Sequence, residues 1–316
     1  MVALPSWMAL RDSPLTPDQL VEAASATHLD IALLSGGSTS SRLTCVRSDA
    51  GWGIDIMEVN AHVRAVGALN PGCVALLVVE RPGDSHICGT FVDRPVALVM
   101  PAGAEIAAGI KPGLGYTAVV LPAQHWRDAL EAAGAAMPLA PLAVDLAPGA
   151  AAALLREGRR VARHLAAQQA TDPGRVPAAL IDYATAFATA CRLDRSSDAA
   201  DSCRTRLRQA WAAHDYLRDH LADDVTTAQL CRVLGISRRQ LEYAFRTVFD
   251  VSPRAFQQTL RLNESRRRLL AARDRGQTVT QVATEVGVSH LGRYAIYYRR
   301  LFGETPRQTL ERGGRA

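Results

Sequence analysis

The chain has 316 residues, 48% hydrophobic and 21% charged, with a formal net charge of +5. The length exceeds one ordinary core, so two domains are expected. No apolar run approaches the ~20 residues of a membrane span and the N-terminus lacks a basic stretch followed by an apolar core, so the expectation is a cytoplasmic chain with no membrane partner.

The net charge hides an asymmetry. Residues 204–316 hold 21 arginines against 11 acids, a net of +10, whereas residues 1–203 hold 15 basic and 20 acidic side chains, a net of −5. A basic domain neutralises phosphate, and affinity of that kind falls steeply with salt. Lys111 is the only lysine among 36 basic residues; we read this as coding bias, together with the abundance of alanine.

Taken in chain order, residues 31–121 are broken by glycine and proline into short β-like runs at 31–34, 54–59, 74–79, 96–100, 105–110 and 116–121. Turn signals at Gly36-Gly37, Asn70-Pro71-Gly72, Arg81-Pro82-Gly83-Asp84 and Lys111-Pro112-Gly113 separate them. The spacing predicts a compact barrel or sandwich. Gly36-Gly37-Ser38-Thr39-Ser40 lacks the lysine of a phosphate loop and the second glycine of a nucleophile elbow, which leaves a plain turn as the better reading. His62, His86 and His125 have no partner histidine at metal-ligand spacing, and Cys45, Cys73, Cys88, Cys191, Cys203 and Cys231 form no Cys-x-x-Cys. Neither a metal site, a cofactor nor a disulfide framework is expected.

Three helices are predicted near 124–135, 149–169 and 176–192. On the second, Arg156, Arg160 and Arg163 recur at steps of four and three, with Arg159 and His164 at the flank. Arginine forks at that spacing suit a carboxylate or phosphate, so an anionic small-molecule effector, an acid or a nucleotide such as a cyclic dinucleotide, is one reading; a solvated face or dimer rim is the other. Residues 194–203 are polar and aperiodic and read as a linker, dividing the chain into 1–193, the linker, and 204–316.

The last third says nearly the same thing twice. Leu234-Gly235-Ile236-Ser237, Phe245, Phe249 and Ser252-Pro253 are answered by Val286-Gly287-Val288-Ser289, Tyr298, Phe302 and Thr305-Pro306. The glycines are 52 residues apart and the later pairs 53, so the second copy carries one added residue. In each copy a hydroxyl-capped helix, opened at Thr226 and Thr278, ends at a glycine able to take positive φ, and a second helix follows. The first is expected to bury Ala228, Cys231 and Leu234, then Leu241, Phe245 and Phe249; the second Val282, Ala283 and Val286, then Tyr294, Tyr298 and Phe302. Between the copies residues 253–272 read as one helix, ~30 Å at ~1.5 Å per residue, close to the ~34 Å of one DNA turn.

This constellation resembles the DNA-binding domain of the AraC/XylS family of bacterial transcription regulators over about residues 204–312. The resemblance is carried by the two helix-turn-helix units, the long helix between them, the Leu234 to Leu241 run and the Tyr298 to Pro306 run. Departures are Val288, where an aromatic is common, Asp250 in place of a glycine, and Gly292 in place of a polar residue. The resemblance implies an α+β chain: an N-terminal β-rich, cupin-like sensing and dimerising domain with helices, then an all-α double helix-turn-helix domain. It implies double-stranded promoter DNA and RNA polymerase as partners, a small-molecule effector, and a homodimer associated with the nucleoid. By position, Arg239, Glu242, Tyr243, Arg293 and Ile296 are expected at base edges. Arg238, Arg246, Arg299 and Arg300 are expected on the DNA backbone, and Ser237 and His290 at the helix starts. Some relatives carry an enzyme-like front. Here Gly72-Cys73-Val74 and Ile87-Cys88-Gly89 lack the partner motifs of an amidase-like elbow or an alkyl-accepting cysteine, so a DNA-tethered enzyme or alkyl acceptor is the alternative and no catalytic residue is assigned.

Overall fold

A computed structural model of the chain describes residues 7–16, 19–20, 29–36, 41–135, 138, 141–167, 174–191, 201–272 and 276–313. Twelve strands lie among them: β1 Trp7–Leu15, β2 Leu29–Leu33, β3 Ser41–Ser48, β4 Gly53–Val59, β5 Val63–Ala68, β6 Cys73–Arg81, β7 Ser85–Ile87, β8 Thr90–Val92, β9 Val96–Met100, β10 Glu105–Ile110, β11 Leu114–Pro122 and, after the first helix, β12 Leu142–Asp145. The helices are α1 Ala123–Ala133, α2 Pro148–Ala167, α3 Ala178–Cys191, α4 Asp201–Asp219, α5 Thr227–Leu234, α6 Arg238–Phe249, α7 Pro253–Ala272, α8 Val279–Glu285, α9 Leu291–Phe302 and α10 Pro306–Arg312. A β-rich front with two sheets is followed by an all-helical region, the α+β class expected.

The chain divides into two compact units. The first comprises Met1–Ile31, Thr39–Ala61 and Ala65–Ala199; the second takes in Ala32–Ser38, His62–Arg64 and Ala200–Ala316. The linker expected over 194–203 lies outside the described residues up to 200, and its last three residues are corrected: Asp201, Ser202 and Cys203 open α4. The helical unit is also discontinuous in sequence, with two short pieces drawn from the first hundred residues.

Two sheets form the β-rich part, one of seven strands in the order β1-β3-β4-β11-β6-β9-β12 and one of five in the order β2-β5-β10-β7-β8. The seven-stranded sheet is antiparallel, with β11 paired to both β4 and β6. Alternation sends Ile54, Val74, Leu76, Val78, Val99, Val119 and Leu121 into one cluster with Trp126, Leu154, Val161, Tyr183 and Phe187 of α1 to α3. The opposite face is covered too, since Leu43, Cys45 and Leu98 are buried. Strands buried on both faces need apolar side chains at nearly every position, which is why β6, β9 and β11 read as nearly continuous apolar runs.

The helical unit holds a core of Leu34, Ala210, Ala213, Leu217, Leu230, Leu241, Phe245, Phe249, Phe256 and Leu260. Phe249 stacks on Phe256 at 4.4 Å and stands edge-on to Trp211 at 5.0 Å, both within aromatic contact range. The pieces from the front are built into it. The Asn263 amide of α7 accepts from the Leu33 N–H at 2.9 Å and donates to its carbonyl at 2.8 Å. Arg64 donates to Nε2 of the fully buried His214 at 2.9 Å, and His214 Nδ1 is 2.9 Å from Asp215. With Nε2 accepting, Nδ1 carries the proton, so this imidazole is neutral.

Candidate nucleic-acid interface

Each helix-turn-helix copy is assembled by local hydrogen bonds that its sequence spells out. Thr226 and Thr278 cap the supporting helices α5 and α8, each hydroxyl accepting from the N–H of a glutamine three residues on while the threonine's own N–H donates to that glutamine's side-chain oxygen. Ser237 does the same for α6 through Gln240. Gly235 ends α5 at φ 64°, in the left-handed region, and Gly287 makes the equivalent turn at φ 78°. Asp250, the departure from glycine, still takes φ 54° and closes α6 through its N–H to the Arg246 carbonyl, a conformation that aspartate tolerates better than most residues. Gly303, 53 residues on, plays the same part after α9 at φ 75°.

One expected stripe is corrected. In α5, Ala228 is exposed and Cys231 and Leu234 are only partly buried, whereas Leu230 is buried. The buried point of this eight-residue helix is Leu230, one position off the assumed stripe, while Cys231 and Leu234 pack against the same core partly buried. The other inward residues are as expected: Leu241, Phe245 and Phe249 in α6, Val282, Ala283 and Val286 around α8, and Tyr294 and Tyr298 in α9 are buried, with Phe302 partly so. Tyr294 shares a hydrogen bond with Ser265 of α7 at 2.5 Å, and Tyr298 donates to Thr309 of α10 at 2.8 Å. Arg266 lies 4.4 Å over the Phe302 ring and bonds Glu304 at 2.9 Å, tying α7 to the end of α9.

What remains outward on α6 is the predicted set. Ser237, Arg238, Arg239, Glu242, Tyr243 and Arg246 are all exposed, Tyr243 by 55%. Arg238 and Glu242 pair across one turn at 2.8 Å, so the carboxylate is held by a neighbour until something competes for either partner. The Arg206 guanidinium of α4 lies 4.7 Å over the Tyr243 ring. Sequence reasoning missed Arg206, because no local pattern connects residues 37 apart on different helices. On α9, His290, Arg293, Ile296, Arg299 and Arg300 are exposed. His290 occupies the N-cap position without a side-chain capping bond, unlike the hydroxyl caps of the other copy.

The arginine cluster of the β-rich unit is exposed on α2. Arg156, Glu157, Arg159, Arg160, Arg163 and Ala153 line an open groove of about 430 Å³. All six belong to one helix, so the groove is the space between its own side chains rather than a cleft between elements. Arg160 is held by Glu157 at 2.9 Å and Arg159 pairs with Glu80. Arg163 donates to the Arg159 carbonyl at 3.3 Å. The cysteines weighed for chemistry point away from it: burial pushes the Cys73 thiol up and the Cys88 thiol up to about 11, the reverse of an activated nucleophile. Among the described residues no group of three or more His, Cys, Asp or Glu stands ready for a metal, and no helix is long and apolar enough to cross a membrane.

Comparison with known proteins agrees with the local geometry. Residues 230–312 match a helix-turn-helix domain family. A probable thc operon regulatory protein of Rhodococcus erythropolis is 34% identical over 98 residues, 31% of this chain and 30% of that protein. XylDLEGF operon transcriptional activator 3 of Pseudomonas putida is 30% identical over 97 residues, 31% of this chain and 29% of that one. The chain thus spans about 30% of the length of these curated relatives. A solved probable AraC family transcriptional regulator from Rhodopseudomonas palustris is 34% identical, covering 34% of this chain and 97% of that one at a TM-score of 0.31. Through the double helix-turn-helix of its helical unit, the chain belongs to the AraC/XylS family of transcription regulators.

Proposed function

We propose that the protein is a sequence-specific regulator of bacterial transcription that binds promoter DNA through α6 and α9. The observation that carries this is the pair of exposed helix faces, each beside a short supporting helix and both anchored to the 20-residue α7. In this reading Arg239, Glu242, Tyr243, Arg293 and Ile296 meet base edges. Arg238, Arg246, Arg299 and Arg300 meet phosphate, and Ser237 and His290 stand at the helix starts beside the backbone. The test is selection by the full-length chain from duplexes with a randomised core, followed by titration at two salt concentrations. A regulator enriches a defined site and binds it at least about 10³-fold more tightly than random DNA. Equal binding to both would identify a packaging protein instead.

Effector control is part of the proposal. Arg156, Arg160 and Arg163 share one exposed side of α2, and Arg156 and Arg163 carry no carboxylate partner among the described residues. These charges suit an anionic ligand, a carboxylate or a nucleotide such as a cyclic dinucleotide. Binding that favours one arrangement of a homodimer by about 1–3 kcal/mol would shift DNA affinity some five- to 150-fold. An operon activator among the relatives supports activation, with promoter-bound protein touching RNA polymerase in the cytoplasm. Replacing Arg156 and Arg160 together with alanine should abolish the response to an effector found by thermal-shift screening. A full response in the double variant would make the cluster a solvated face.

A further inference from the structure

The two reading helices sit on matched scaffolds yet present opposite chemistry. Both α6 and α9 have 12 residues, Arg238–Phe249 and Leu291–Phe302, so positions 53 apart correspond. Where α6 shows Arg238, Arg239, Glu242 and Tyr243, α9 shows Leu291, Gly292, Ala295 and Ile296, all exposed. Ile296 is 67% exposed and Leu291 42%, although nothing in their own unit needs them outside. Side chains on a helix lean toward its N-terminus, which carries Ile296 over Gly292 and Ala295 over Leu291. A Cβ at Gly292 would meet nothing within 4 Å, so packing does not demand glycine there. Its effect is to leave the surface before Ile296 bare, open to close approach.

Helix α9 has Arg293, Arg299 and Arg300 exposed around this patch and no acidic residue. A second copy of the same face would bring like charges together, whereas duplex DNA satisfies the arginines. The major groove offers one apolar group at its base edges, the 5-methyl of thymine. We propose that α9 reads thymine: its half of the site is recognised through methyl groups packed on Ile296, Leu291 and Ala295, while α6 reads its half by hydrogen bonds from Arg239 and Glu242. This rests on the protein being a sequence-specific DNA binder.

The experiment takes the site selected by the full-length chain and replaces thymine with deoxyuridine in one half at a time. Loss of each contacted methyl should weaken binding roughly fourfold in the half facing α9. In the other half affinity should stay within about twofold. The Ile296→Asn variant, folded by circular dichroism because the position is exposed, should bind more weakly and lose the deoxyuridine penalty in that half. Two results would overturn the proposal: deoxyuridine neutral in both halves, or an Ile296→Asn variant that keeps the full penalty. An Ile296→Asn variant that changes molar mass in light scattering while keeping the penalty would assign the patch to a second copy and also overturn it. Failure to select any site would instead remove the DNA-reading premise, an outcome separate from the others.

Discussion

His86 and His214 are held neutral by burial, reinforced by Lys111 beside the first and Arg64 beside the second, and each is pushed down to about 4 from the usual 6.5. The unfolded chain binds those protons first, so the stability present above pH 6.5 is lost as pH falls toward 4, at roughly 1.4 kcal/mol per pH unit for each histidine. Both ring nitrogens of His86 lack a hydrogen-bond partner among the described residues, and the ring leans on Phe91 at 4.8 Å. His86→Phe should therefore hold or raise the urea midpoint at pH 7 and raise it clearly at pH 5; a lower midpoint at both would reveal a partner for the imidazole. At the reading face, Arg239→Ala should cost about 1–3 kcal/mol on the selected site and relax one base pair. Arg246→Ala should weaken all sequences alike, and competition binding on cognate and random duplexes separates the two. Residues of this kind were legible because a helix face can be counted from a single cap. Arg206 was not, because its stack on Tyr243 exists only after two helices pack.

At the level of elements, the turns divide two glycines that look equivalent in the sequence. Gly235 has open space around a notional Cβ and is constrained only by φ 64°, whereas a Cβ on Gly287, at φ 78°, would run into the Ala222 carbonyl. Gly235→Ala should cost about 1–2 kcal/mol from the backbone alone. Gly287→Ala should cost more, since Ala222 must move, and thermal unfolding of the two variants checks the order. The four helices of the two helix-turn-helix copies and α7, observed at the expected 253–272, lie where the sequence put them because caps, periodicity and turn glycines agree there, whereas α4 and α10 were not anticipated. The front was harder. Its inner strands showed as apolar runs, but β1, β3, β5, β7, β8 and β12 were missed. They are short or mix charge with apolar residues, as in Ser41–Ser48, and only pairing with neighbours makes them strands.

Over the whole molecule, the charge division between an acidic front and an arginine-rich reader predicts salt behaviour. If six to ten phosphates are neutralised, affinity should fall about 10³- to 10⁵-fold between 50 and 200 mM salt, and Arg300→Ala should lower the log-log slope by roughly one. A slope near zero in a binding titration would contradict phosphate contact. The reader is, however, more than the last third of the chain. Leu34 belongs to its core, Asn263 is satisfied by the Leu33 backbone and His214 by Arg64. A hybrid protein made by grafting residues 200–316 onto a foreign front would carry a hole the size of a leucine, an Asn263 amide without its Leu33 partner and a His214 imidazole without its Arg64 partner. By analogy with core truncations it should lose about 2–5 kcal/mol before any question of signalling arises. Urea unfolding of that graft, beside one in which residues 32–38 and 62–64 travel with the reader, would show that the smallest transplantable module is three separate stretches of this gene and not one.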